Sequence, residues 1–123
     1  GIITTVAGNG HGGIAGDGGQ AVKAQLTDPV AVTESPDGGF VIADQGNHRL
    51  REVTGRGVIS TLAGSGQPGT DDPDSSVGAT SAHLQGPTSL VYVGQDLYFV
   101  DEFQLRLLSG GQVTYYTPPS DPR

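Results

Sequence analysis

The chain has 123 residues, of which 21 are glycine and eight proline, and only 15% are charged; this argues against a helical bundle and fits many short strands joined by tight turns. Thirteen acidic residues against six Lys and Arg leave a formal net charge of −7, which repels a phosphate backbone and argues against nucleic-acid binding. Cysteine is absent, which excludes disulfides and thiolate metal sites, and no apolar run approaches the roughly 18 residues of a membrane span, so no membrane insertion is expected.

In chain order, GIITTVAGNG at 1–10 returns as GVISTLAGSG at 57–66 and again, shortened, as GQVTYY from Gly111, a period of 56 and then 54 residues. Such spacing marks a modular array whose units need neighbours to cover their apolar faces. No secretory leader is evident, and the lack of Met even at position 1 predicts a processed chain or a piece of a longer one.

Within the first full period, residues 29–34 (PVAVTE) predict a strand, SPDGG at 35–39 a tight reversal, and FVIAD at 40–44 a second strand. QGNH at 45–48 is the next turn, followed by RLREV at 49–53 and VISTLA at 58–63. The second period repeats the plan at 87–93, 96–101, 105–109 and 112–116. FVIA and LYFV lack clean alternation, which predicts strands covered on both faces.

Four-stranded antiparallel sheets repeated at this length describe blades of an all-β propeller. The string VAGNGHGGIAGDGGQAVKAQLTDPVAV, followed by GGFVIADQGNHRLREV and GVISTLAG, resembles the NHL repeat family. The second period is degenerate: Asp101–Gln104 replaces the Asp-x-Gly-Asn-His-Arg turn, and residues 71–84 replace AGDGGQAVKAQL. The resemblance implies an NHL-like blade at 8–63, a second at 64–116, and residues 1–7 as the outer strand of a preceding blade. Two blades and one strand do not close a ring of four to eight blades. The expected arrangement is a partial propeller completed by further blades of the same polypeptide, because a ring of two-blade units from separate chains would leave their extra strands spare; completion by other subunits and an open filament are the alternatives.

Antiparallel order puts the long connections 8–28 and 64–86 and the turns 45–48 and 102–104 on one rim. Connections of about 20 residues are long and often functional, so ligand or partner contacts are expected there, from Gly10, His11 and Asp17 in the first loop and Asn47 and His48 in the turn. Gln20–Leu26 reads as about two turns of helix, with Asp17 either a small-ligand or cation residue or, structurally, its cap. Asp71, Asp72 and Asp74 supply oxygens of the kind calcium uses, but the calcium-loop spacing is absent and Pro73 interrupts them, which favours a solvated acidic loop. His11, His48 and His83 lack the spacing of a zinc site.

Asp44 is expected to lock the QGN turn with Arg49, and Asp101 to do the same with Arg106. No Gly-x-Ser-x-Gly, phosphate-loop or dinucleotide fingerprint occurs, and no cofactor is expected. Residues 117–123 (TPPSDPR) read as an extended Pro-rich linker, with Thr117 and Ser120 as candidate O-glycan sites. The function expected is a non-enzymatic module that binds a protein or glycan, or builds an extracellular or cell-surface assembly. The alternative is a fragment of a propeller enzyme, a hydrolase or lyase, with its catalytic residues elsewhere. RNA binding, known among NHL propellers, needs a basic face that this composition does not supply.

Overall fold

The computed structural model describes residues 1–116; Thr117 and Ser120, and the linker to which they belong, lie outside the described residues. Two antiparallel sheets account for the chain. The first runs β1 (Pro29–Glu34), β2 (Phe40–Asp44), β3 (Arg49–Val53) and β4 (Ile59–Ala63), each paired with the next. The second is formed by β6 (Pro87–Val93), β7 (Asp96–Asp101), β8 (Gln104–Ser109) and β9 (Gln112–Tyr115), with the two-residue β5 (Val77–Gly78) added outside β9. The fold is all-β and its two sheets are propeller blades.

Turn chemistry sets the hairpins. Between β1 and β2 the Ser35 carbonyl accepts from Gly38 N–H and Gly39 carbonyl from Ser35 N–H; Gly38 there has φ +96°, a conformation that glycine adopts without strain. The β2–β3 turn is a single 3-10 turn over Gln45–Asn47, closed by His48 in the left-handed region at φ 55°, ψ 43°.

The unalternating runs are explained by two cores. Val41 and Ala43 point to one side of the first sheet and join Leu50 and Ala63 against Leu84, Leu97, Phe99, Leu108 and Val113 of the second. Ile42 points to the other side, with Val53, Ile59, Ala21 and Ala24. The first cluster is the joint between blades, and burying each of its large side chains contributes about 1.5–3 kcal/mol.

Three details depart from the sequence reading. Gln20–Leu26 is not two helical turns: only Ala21–Lys23 forms a 3-10 turn, and Ala24 is already extended. The competing bonds are the reason, because Gly18 and Ala21 N–H groups donate to the carbonyls of Ile59 and Gly57, while Gly19 carbonyl accepts from Ile59 N–H. This loop is thus stitched along the outer edge of β4, with a bridge between Gln20 and Val58, and β5 on β9 is the same feature in the second blade. Finally, residues 1–6 are assigned to no strand, and Ile2 and Ile3 are 94% and 97% exposed. Ala7–Gly8 nevertheless enters its loop as Ala63–Gly64 does: Gly8 N–H donates to Ala21 carbonyl and Gly64 N–H to Ala79 carbonyl, both at 2.9 Å.

Candidate functional site

The loop rim is organised around a buried arginine in each blade. Arg51 of β3 is fully buried; its Nη1 donates to Asp44 Oδ2 at 3.0 Å and to Gln25 carbonyl at 3.0 Å, while Nε and Nη2 donate to Asp17 Oδ1 at 3.0 and 2.8 Å. Asp44, itself buried, also accepts from Thr27 N–H at 2.7 Å and Asn47 Nδ2 at 2.7 Å. In the second blade Arg106 Nη1 meets Asp101 Oδ2 at 3.4 Å and His83 carbonyl at 2.6 Å, and Nη2 meets Asp71 Oδ2 at 2.7 Å. Asp101 Oδ1 accepts from Gln85 and Gly86 N–H at 2.9 and 2.7 Å. Each guanidinium therefore ties a loop carboxylate, a strand carboxylate and a loop carbonyl into one charge-assisted network.

This corrects the expected pairing of Asp44 with Arg49. Arg49 stands opposite Asp44 in the β2–β3 register, but its Nη2 donates to Ser65 carbonyl at 3.3 Å and its guanidinium lies over Gly66, where any Cβ would collide with it. The Asp101–Arg106 pair is as expected. Asp17 does not cap the short helical turn, whose N-cap makes no side-chain bond; its second oxygen accepts from Thr61 Oγ1 at 2.5 Å. The signal for this arrangement was present in the repeat, since Asp17 and Asp71, Asp44 and Asp101, and Arg51 and Arg106 recur 54, 57 and 55 residues apart.

The other rim residues are placed as follows. Asn47 Nδ2 donates to Gly13 carbonyl at 2.8 Å as well as to Asp44, and His48 Nδ1 lies 2.8 Å from Gln85 carbonyl, a bond across the blade joint. Both are partly buried. Asp71 accepts from His83 N–H and lies 2.9 Å from His83 Nδ1; burial pushes its pKa up, but the hydrogen bonds from Arg106 and His83 outweigh this and hold it below the usual carboxylate value. Asp72 Oδ1 accepts from Asp74 N–H in a local turn. Among the described residues no group of three or more metal-ligating side chains is brought together.

Gly10 and His11 differ from the rest, because they line an open cleft of about 690 Å³ with Gly8, Val22, Leu26 and Pro29. Sequence reasoning did not single out Phe103, which stands 98% exposed on the same rim. It occupies the place of His48, one residue before the third strand of its blade.

A family model described as the Teneurin NHL domain matches residues 8–114. Human Teneurin-4 is 31% identical over 120 residues, which is 86% of this chain and 4% of that protein, so the chain spans a small part of the length of this relative. In structure, the chain is similar to a candidate phosphatase of Bacteroides thetaiotaomicron, with a TM-score of 0.64 and 24% identity over 93% of this chain and 26% of that one. That likeness shows the fold alone.

Proposed function

Because the chain belongs to the teneurin NHL domain family, we propose that it acts as a non-enzymatic binding and assembly module whose loop rim contacts a protein or glycan. The observation that carries this reading is the use made of the rim's ionisable groups. Asp17, Asp44, Asp71 and Asp101 are spent on Arg51 and Arg106, while Phe103 and the glycine-rich cleft around Gly10 face solvent. Carboxylates held in this way stiffen loops, and an exposed aromatic on a stiff rim is a typical anchor for a partner.

Residence outside the cell or at its surface belongs to the same proposal. No helix among the described residues is long and apolar enough to cross a membrane. Nucleic acid is disfavoured as a partner, since two of the six Lys and Arg, Arg51 and Arg106, are withdrawn from the surface.

Photo-crosslinkers at His11 and Phe103, with controls at Arg56 and Gly94 on the opposite rim, test the reading on cell-surface extract. Adducts to a distinct protein or glycoprotein from the loop rim alone are expected. Equal labelling from both rims would overturn it. Hydrolase or lyase turnover by a longer protein that contains this segment, with none from the segment alone, would favour the alternative, a fragment of a propeller enzyme with its catalytic residues elsewhere.

A further inference from the structure

The backbone nitrogen that follows an asparagine attacks the side-chain amide and closes a five-membered imide ring, a reaction that is fast only where that nitrogen is free, uncrowded and held close. The chain has two asparagines and two Asp-Gly steps: Asn9–Gly10, Asn47–His48, Asp17–Gly18 and Asp37–Gly38. In three of these the attacking nitrogen is already engaged. His48 N–H donates to Gln45 carbonyl at 3.0 Å, Gly18 N–H to Ile59 carbonyl at 2.7 Å and Gly38 N–H to Ser35 carbonyl at 3.0 Å. Among the described residues, Gly10 N–H makes no hydrogen bond.

The side chain is set for the attack as well. Asn9 Oδ1 accepts from His11 N–H at 2.9 Å, so a donor already sits at the oxygen on which negative charge develops. Asn9 Nδ2, the leaving nitrogen, meets only Lys23 carbonyl, at 3.3 Å. Gly10 has φ +87°, a Cβ there would touch nothing within 4 Å, and both residues are exposed to water. These features belong to the repeat. Ser65–Gly66 holds the same place one period later, with the first blade packed in front of it. There Ser65 Oγ accepts from Gln67 N–H at 3.2 Å, Gly66 N–H is again uncommitted among the described residues, and both residues are still half-exposed. A neighbouring blade therefore neither ties up this nitrogen nor shuts out water.

We propose that Asn9–Gly10 is a self-modifying step, at which the folded chain converts Asn9 to aspartate and isoaspartate without an enzyme. Gly10 nitrogen, its proton taken by hydroxide, bonds to Asn9 Cγ as the Cγ–Nδ2 bond breaks, and the amide nitrogen leaves as ammonia after taking a proton from water. Water then opens the ring. Addition at Cγ gives aspartate, addition at the Asn9 backbone carbonyl gives isoaspartate, and nothing is oxidised or reduced. Either product adds a negative charge to a chain of net charge −7, places it next to the backbone of His11 and removes the donor to Lys23 carbonyl. Isoaspartate also lengthens the main chain by one carbon where loop 8–28 begins. The loop rim thus changes with the age of the molecule, independently of any partner.

Incubation of the folded 123-residue chain in mildly alkaline buffer, followed by peptide mass spectrometry, tests the proposal. A transient loss of about 17 Da and then a net gain of about 1 Da are expected, located at Asn9 by fragmentation. Isoaspartate, labelled by an isoaspartyl methyltransferase, is expected at the same residue and not at Asn47, Asp17 or Asp37. The rate in the folded chain is expected to lie within about tenfold of the rate in urea, because the fold leaves the nitrogen free. Greater suppression overturns the proposal. So does conversion of Asn47 as fast as that of Asn9, or aspartate as the sole product, which would mean direct attack by water on the amide. Gly10→Ala is expected to slow conversion about tenfold by crowding the ring, and an undiminished rate counts against the proposal. Asn9→Ser carries the residue found at the equivalent place, Ser65, and serves where Gly10→Ala does not fold. It is expected to abolish the mass gain, and a gain that persists overturns the assignment to Asn9.

Discussion

Thr61 and Tyr115 occupy the same position in the outer strands of successive blades, and each holds the loop aspartate of its own blade by a different bond. Thr61 Oγ1 donates to the Asp17 carboxylate; the Tyr115 hydroxyl accepts from Asp71 N–H at 3.1 Å, and its ring lies 4.2 Å from the Arg106 guanidinium carbon. Among the described residues Arg106 Nε has no hydrogen-bond partner, whereas Arg51 Nε has Asp17. Tyr115→Phe keeps the ring and loses the hydroxyl, for an expected cost of about 1 kcal/mol. Tyr115→Leu also loses the cation–π contact and is expected to cost about 0.5–2 kcal/mol more. Urea titration measures both, and equal costs would remove the cation–π contribution.

Arg51→Ala leaves Asp44 buried without its counter-charge. The expected loss is about 3–5 kcal/mol, read as a lower denaturation midpoint. Asp17→Ala should cost less than Asp44→Ala, because the Asp17 side chain is 40% exposed and that of Asp44 is fully buried.

Two carboxylates should give opposite pH responses. The pKa of Asp71 is lowered in the fold, so its contribution is complete above the unfolded pKa and is lost as pH falls through the folded value. The pKa of Glu52 is raised, first by burial and then by the charge of Asp37, so its contribution is present below the unfolded pKa and is lost as pH rises through the folded one. Asp71→Asn is expected to destabilise at neutral pH and to converge with the parent in acid. Glu52→Gln should stabilise at neutral pH and lose that advantage in acid. Denaturation series from about pH 7 to pH 2 check both signs.

Gly64 has φ +100°, and a Cβ there would collide with His48 carbonyl and approach Arg49 Cα at 2.9 Å. Gly10 has φ +87° with nothing within 4 Å. Gly64→Ala should therefore lower the melting temperature well beyond Gly10→Ala, which carries backbone strain alone. Equal shifts would show that strain, rather than the close approach, sets the cost.

The cation reading of Asp71, Asp72 and Asp74 has its own test. Asp71 is already bonded to Arg106 and His83, so millimolar calcium is expected to leave the melting temperature unchanged; a rise of several degrees would mean that the acidic loop binds the ion.

The strands were legible because turn glycines and prolines bound them and because the repeat supplies each boundary twice. Val41, Ile42 and Ala43 showed in sequence that both faces are covered, and the two cores bear this out. The extent of the loop at 18–26 was not legible: its apolar spacing suits a helix, but the outer edge of β4 takes its backbone bonds. Arg49 adjoins the turn, which is why the sequence points to it as the partner of Asp44. Only the folded chain shows that the side chain of Arg49 crosses to Ser65, leaving Arg51 to reach Asp44. Phe103 carried no periodic or motif signal, and its exposure became visible only once the blade was built.

The loops laid along β4 and β9 also bear on solubility. A bare outermost strand invites another chain to extend the sheet, the first step toward amyloid. Here residues 18–21 cap the beginning of β4, and Val77–Gly78 cap β9. Strand addition is thus obstructed where these caps sit, at Ile59 on β4 and at Gln112 and Val113 on β9, which works against the fibrillar deposits that a bare margin invites.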